Sequence, residues 1–170
     1  QRSPTLRTLS SGVSRKPDRP CISICAGMGC LGASNEVVIR AFEDAVKTQG
    51  LETSVEIRAT GCHGFCERGP LVVVYPEEVC YMAVAPADVP EILSETVVGK
   101  RVIERLIYRD AISGEKVAHQ REIPFYKKQM RLLLGDNPSL DPRRIEDYIA
   151  GGGYSALSKA LFEWTPDRVL

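Results

Sequence analysis

Two short cysteine pairs, each placed directly after a β-branched run, constrain the fold of this chain more than any other feature. Cys25 and Cys30 are separated by Ala-Gly-Met-Gly, and Cys62 and Cys66 are separated by His-Gly-Phe. Each pair therefore lies in a glycine-rich turn at the end of a predicted strand. Two such turns at neighbouring strand ends would present four thiols as a cage for a soft metal centre.

The spacing of these four cysteines favours a binuclear iron–sulfur cluster. Four thiolates are the ligand set of such a cluster, so we predict one [2Fe-2S] cluster with metal ligands Cys25, Cys30, Cys62 and Cys66. A structural zinc site also takes four cysteines, usually through two-residue spacings, and two disulfides would suit an oxidising compartment; both alternatives stay open. A dithiol-exchange enzyme would use Cys-x-x-Cys, a spacing that neither pair has.

The remaining cysteines and His63 are predicted not to be ligands. Cys21 lies four strand residues before Cys25, about 13 Å away at 3.3 Å per residue, so both cannot face one cluster. Cys80 lies in a predicted hairpin strand, where a buried thiol acts as a small hydrophobe. His63 adjoins the predicted ligand Cys62. Because neighbouring residues of an extended loop point apart, we expect His63 to be a loop residue at the edge of the cluster.

Hydrophobic periodicity predicts a compact α/β domain with the element order β-α-β-β-β-α. Strands are expected at residues 21–25, 54–60, 71–75 and 79–84, and a short apolar stretch at 102–108 closes the unit. One helix is expected at residues 35–49, between an N-cap at Ser34 and a stop at Gly50. A second helix is expected from residue 87 to near residue 99.

The chain is predicted to contain four parts. The first is a flexible, basic, Ser-rich arm that would lie on a partner subunit, although such a start also describes an organellar transit peptide. The third part is a linker with a turn at residues 113–115 and room for one short helix. The fourth opens a second domain with two short helices divided by three glycines. The predicted limits are 1–19 for the arm, 20–108 for the α/β domain, 109–143 for the linker and 144–170 for the last part.

Composition narrows the class of protein. The chain has 170 residues, 44% of them hydrophobic and 26% charged, with a net charge of zero. This balance gives no excess of cations for binding nucleic acid, and no apolar run reaches the roughly 18 residues of a transmembrane helix. Six cysteines are too few for a disulfide scaffold of this length, and their clustering indicates metal or redox chemistry in a reducing compartment. We therefore expect a cytoplasmic location.

Three stretches together resemble the thioredoxin-like [2Fe-2S] ferredoxin domain. They are Cys25-Ala-Gly-Met-Gly-Cys30, the segment from Thr60 to Val72, and Ala85-Pro-Ala-Asp-Val-Pro-Glu-Ile92. Residues 145–160, followed by Thr165-Pro166, resemble the opening of the NADH-binding flavoprotein subunit. Such subunits occur in respiratory complex I and in soluble NAD-dependent hydrogenases and formate dehydrogenases.

The resemblance implies a one-electron relay inside a multi-subunit redox complex, with partner subunits that carry flavin and iron–sulfur centres. It also implies that FMN, NAD and [4Fe-4S] sites belong to the complete subunit and lie beyond Leu170. The chain would then be the N-terminal part of an NADH-dependent oxidoreductase subunit and not catalytic by itself, so we assign no catalytic or flavin-binding residue. The alternative hypothesis is a docking module, stabilised by zinc or by a cluster, without an electron-transfer role.

Overall fold

A four-stranded mixed sheet forms the centre of the fold in the computed structural model, which describes residues 19–31 and 35–170. The predicted N-cap Ser34 and the arm up to residue 18 lie outside the described residues. The strands are β1 (Cys21–Cys25), β2 (Glu56–Thr60), β3 (Val72–Tyr75) and β4 (Val79–Tyr81), in the spatial order β2-β1-β3-β4. Strand β1 runs parallel to β2 and antiparallel to β3, and β3 pairs antiparallel with β4.

The register of the parallel pair decides where the two cysteine loops meet. Cys25, the last residue of β1, lies opposite Thr60, the last residue of β2. Parallel strands need a crossover connection, and here it contains α1 (Met28–Leu31) and α2 (Asn35–Thr48). Both loops therefore leave the sheet at the same edge.

Helix α2 forms at the place that periodicity predicts. Val38, Phe42 and Val46, spaced four residues apart, are its buried apolar positions, and this spacing places them on one face of the helix. Gly50 follows with a φ of +65°, a left-handed conformation that glycine adopts without steric cost and that commonly ends a helix. The helix packs this face on the core that contains Ile22 and Ile24.

The second predicted helix forms with a different hydrogen-bond pattern, and the apolar stretch after it is mostly irregular. The helix begins as α3 (Val89–Glu91) and continues as a π-helix over Ile92–Val98. In the apolar stretch at 102–108, which is expected to close the domain, an isolated bridge joins Tyr81 to Ile107 just before the short strand β5 (Tyr108–Arg109). The backbone N–H of Ile103 donates to the Tyr81 hydroxyl (3.1 Å).

The two faces of the sheet are covered by different parts of the chain. Alternate residues of a strand point to opposite faces, and in β3 Val72 and Val74 join the core that contains α2. Val73 joins a second core with Cys25, Cys30 and Ile123.

Residues after β5 supply the cover for this second face. They form β6 (Lys116–Val117), which pairs with β5 around the predicted turn, and α4 (Pro124–Lys127). The backbone N–H of Cys80 donates to the carbonyl of Ala118 (2.8 Å), and Ile123 is fully buried. The predicted domain limits stay predictions, but this part of the chain packs on the sheet.

The C-terminal region is helical, with α5 (Ile145–Ala150), α6 (Ser155–Phe162) and α7 (Pro166–Val169). The glycines at 151–153 form the turn between α5 and α6, as predicted. Asp147 of α5 is buried and lies 3.5 Å from the guanidinium of Arg58 on β2, whereas every residue of α6 is at least partly exposed. Within the described ranges 19–31 and 35–170, none of the helices is long and apolar enough to cross a membrane.

Candidate metal centre

All four predicted ligand cysteines lie together at the edge where β1 and β2 end. Cys25 ends β1, Cys30 lies on α1, Cys62 follows β2, and Cys66 opens a 3-10 turn over Cys66–Arg68. The thiol of Cys25 is close enough to that of Cys30 to influence the titration of Cys30, and the thiols of Cys62 and Cys30 likewise influence that of Cys66. Among residues 19–31 and 35–170, no three His, Cys, Asp or Glu side chains converge on the position of a single metal ion.

The four cysteines differ in their exposure to solvent. Cys25 and Cys30 are buried, Cys62 is half-buried and Cys66 is exposed. A centre held by these side chains would have one side in the second core and the other side near solvent.

Three glycines lie directly against the cysteine side chains, and a larger residue at any of these positions would have to displace a cysteine. A Cβ at Gly29 would lie 2.7 Å from the sulfur of Cys66, and one at Gly69 would lie 2.8 Å from the sulfur of Cys30. A Cβ at Gly27 would lie 2.9 Å from the Cβ of Cys62. Each glycine belongs to one loop and faces a cysteine of the other, so the two loops interlock. This close approach of backbone to sulfur fits an iron–sulfur cluster, which needs N–H groups near its sulfurs.

Backbone donors point at two of the sulfurs. The N–H of Gly64 donates to the sulfur of Cys62 (3.2 Å), and the N–H of His63 donates to the sulfur of Cys25 (3.5 Å). Hydrogen bonds to the sulfurs are one of the ways in which a protein sets the potential of such a centre. Near the same edge, the side chain of Asn35, the first residue of α2, donates to the carbonyl of Cys25.

The thiol of Cys30 would keep its proton if it had no metal partner. Burial, with further contributions from the neighbouring cysteines, raises the pKa of Cys30 to about 12. A thiol must be deprotonated to bind a metal. The positive charge of a bound metal centre would have to compensate this cost.

His63 lies in the loop beside the cysteines, as predicted, but its side chain is buried away from them. Its ring is fully buried, and Nε2 lies 2.9 Å from the hydroxyl of Thr60 and 3.4 Å from that of Ser23. Nδ1 lies 3.2 Å from the amide nitrogen of Gln120. Burial, followed by the charge of Arg131, lowers the pKa of His63 to about 4. The ring points into the protein, where it contacts the polar side chains of Ser23, Thr60 and Gln120. The backbone N–H of His63, in contrast, faces the sulfur of Cys25.

No feature of the sequence predicts Arg131 at this site. Its guanidinium donates to the carbonyls of His63 (2.9 Å) and Cys62 (3.2 Å). The contact joins residues 68 positions apart, and neither periodicity nor motif spacing carries a signal for such a pair.

Cys21 and Cys80 have the structural roles that the sequence predicts. Cys21 lies at the opposite end of β1, paired with Glu56 and Tyr75, and Cys80 is fully buried. Burial raises the pKa of each thiol to about 12. Both are therefore protonated, buried and inert.

The amino-acid sequence is similar to those of known 2Fe-2S ferredoxins. A 2Fe-2S ferredoxin of Clostridium pasteurianum is 35% identical over 77 residues, which are 45% of this chain and 76% of the relative. A 2Fe-2S ferredoxin of Aquifex aeolicus is 38% identical over 79 residues, 46% of this chain and 71% of that protein. No family model matches the chain.

Solved structures show the same fold. The wild-type thioredoxin-like [2Fe-2S] ferredoxin of Aquifex aeolicus superposes with a TM-score of 0.50 and 30% identity. The match covers 55% of this chain and 100% of that one, and a partly helical C-terminal region is additional here. Roughly half of this chain is a ferredoxin-like electron-transfer domain. The chain therefore belongs to the thioredoxin-like [2Fe-2S] ferredoxins.

Proposed function

We propose that Cys25, Cys30, Cys62 and Cys66 hold the [2Fe-2S] cluster of this ferredoxin domain. The observation that carries the proposal is the interlocking of the two loops, in which Gly27 and Gly29 of one loop, and Gly69 of the other, lie against cysteine side chains of the opposite loop. When bound, such a cluster accepts and releases one electron at a time.

The groups around this site are suited to stabilising the negative charge of a cluster. Four thiolates and two sulfides outweigh two ferric ions, so the centre is negative and becomes more so on reduction. The N–H groups of His63 and Gly64 stabilise that charge from one side. Burial of Cys25 and Cys30 excludes water from the inner side, while exposed Cys66 offers the short route to a partner.

The same proposal includes a wider context. The resemblance of residues 145–166 to a flavoprotein subunit supports a role as the electron-transfer part of an NAD(H)-oxidising or NAD(H)-reducing subunit in a multi-subunit complex, in the cytoplasm. In that context FMN, NAD and [4Fe-4S] centres belong to other parts of the complex. The exposed apolar side chains of α6, Leu157, Leu161 and Phe162, are suited to contacts with such parts.

The ligand set is tested by metal analysis of single-cysteine variants. The purified chain should contain about two irons and two acid-labile sulfides and show a reversible one-electron step. Cys62→Ser should lose the normal visible spectrum, because it removes a thiolate of the cage. The matched control Cys80→Ser should keep it, because Cys80 lies buried in β4. Stoichiometric zinc without iron, or equal loss in both variants, would refute the assignment.

The wider context needs a separate experiment. The natural gene product should be purified with its bound subunits and analysed for FMN. Addition of NADH should then bleach the visible absorbance of the cluster. If FMN is present and NADH leaves the cluster oxidised, the proposed link to NAD(H) is wrong, whereas the ligand assignment stands.

A further inference from the structure

We propose that Arg131 is a positioning residue for the cluster. It holds the second cysteine loop, residues 61–64, in its conformation and thereby makes the cluster easier to reduce. The inference rests on the ligand assignment proposed above. Arg131 lies outside both cysteine motifs and after β6, in a part of the chain that no feature of the sequence connects with the site.

The geometry of the contact is that of a two-pronged clamp. Nη1 of Arg131 donates to the carbonyl of His63 and Nη2 to the carbonyl of Cys62, at 2.9 and 3.2 Å. Arginine presents its donors in a rigid planar fork, whereas lysine offers a single flexible point charge. The guanidinium also lies against Gly64, where an added Cβ would be 3.3 Å from Nη2. Gly64 has a φ of +89°, so this close approach and this turn both favour glycine.

The segment that carries Arg131, residues 131–140, is itself hydrogen-bonded to the loop at residues 61–64 and to the sheet. The N–H of Gly61 donates to the carbonyl of Leu140 (3.2 Å), so both ends of the loop at residues 61–64 contact the same segment. The hydroxyl of Ser23 donates to the carbonyl of Pro138 (2.7 Å), and the guanidinium of Arg58 donates to that of Ser139 (3.1 Å). The clamp is therefore anchored on β1 and β2 and does not depend on Arg131 alone.

The clamp acts on the sulfurs through the peptide groups of the loop. The peptide unit whose carbonyl belongs to Cys62 carries the N–H of His63, which donates to the sulfur of Cys25. The next peptide unit has the carbonyl of His63 and the N–H of Gly64, which donates to the sulfur of Cys62. Arg131 thus binds the oxygen end of the two peptide dipoles whose hydrogen ends face the thiolates. Holding the oxygens fixes the orientation of both N–H groups.

The charge of Arg131 adds to this effect. Reduction makes the cluster more negative, so a fixed cation nearby favours the reduced state. Arg131 is only partly exposed, and its attraction is therefore screened less by salt than that of a surface lysine. A purely structural arginine would instead alter stability and leave the reduction equilibrium unchanged.

The test is a redox titration of the wild-type chain and three variants, monitored by visible circular dichroism, after iron and sulfide analysis of each. Arg131→Gln should lower the reduction equilibrium constant about fivefold, which at 59 mV per tenfold for one electron is about 40 mV towards more negative potential. Arg131→Lys keeps a cation but loses the fork, and should shift in the same direction by less. Lys128→Gln removes one charge from an exposed residue of the same segment and should leave the potential unchanged.

Hydrogen exchange of the peptide that spans residues 61–64 supplies the second readout. Exchange should be faster in both Arg131 variants than in the wild type and in Lys128→Gln. If Arg131→Gln fails to retain its cluster, Arg131→Lys decides by the same two measurements. Loaded Arg131 variants with wild-type potential and wild-type exchange would overturn the inference. A wild-type chain without iron and sulfide would instead refute the ligand assignment.

Discussion

Removal of the Ile123 side chain tests whether the region predicted as a linker is part of the ferredoxin fold. Ile123 is fully buried and packs in the second core with Val73, Cys25 and Cys30. Ile123→Ala deletes three carbon atoms, which at about 0.8 kcal/mol each costs about 2.4 kcal/mol of transfer free energy. The cavity left behind adds to this cost, so we expect a loss of about 3 kcal/mol.

For a chain of this length, such a loss corresponds to a fall in Tm of about 6–12 °C. The assay is thermal unfolding of the cluster-loaded protein, followed by far-ultraviolet circular dichroism and by visible absorbance. The cluster signal should disappear at the same lowered temperature, since the second core contains two of the proposed ligands. Ile112→Ala is the matched control, because Ile112 lies in the same region and is 98% exposed. Equal and small shifts in both variants would show that the region is a linker without a structural role.

Two further predictions concern the sulfur cage and an ion pair on β2. Gly29→Ala should lower the iron and sulfide content of the purified chain, because its Cβ would lie 2.7 Å from the sulfur of Cys66; full loading would contradict the cage. Burial alone would raise the pKa of Glu56, but hydrogen bonds and charges of Arg58 and Arg144 hold it below its ordinary 4.5. The unfolded chain then binds more protons, so stability that is present above that value is lost as the pH falls through the folded pKa. Glu56→Gln should therefore show a shallower decline of its urea midpoint than wild type from about pH 5 to about pH 3, and parallel declines would contradict this.

Local signals in the sequence account for the elements that carry the cysteines. The alternation from Cys21 to Cys25 predicts β1, and the four-residue spacing of Val38, Phe42 and Val46 predicts α2. These patterns are readable because each depends on residues within one or two turns or one strand. The cysteine spacing likewise indicates the family, and comparison with known ferredoxins confirms it.

The apolar stretch at residues 102–108 shows the limit of local patterning. Its composition predicts that it closes the domain, but not which group it contacts. The backbone N–H of Ile103 donates to the hydroxyl of Tyr81 at the end of β4, and the stretch itself does not encode that contact.

By itself, the sequence determined that two glycine-rich loops carry four cysteines at strand ends. Only the tertiary structure decided how these loops fit together, because the decisive contacts join distant residues. The alignment of Cys25 with Thr60 places both loops at one edge, and glycines of each loop then face sulfurs of the other. The contacts of Arg131 and the burial of Ile123 belong to the same class. Such contacts between distant residues form by packing and hydrogen bonding, and no periodic pattern along the sequence predicts them.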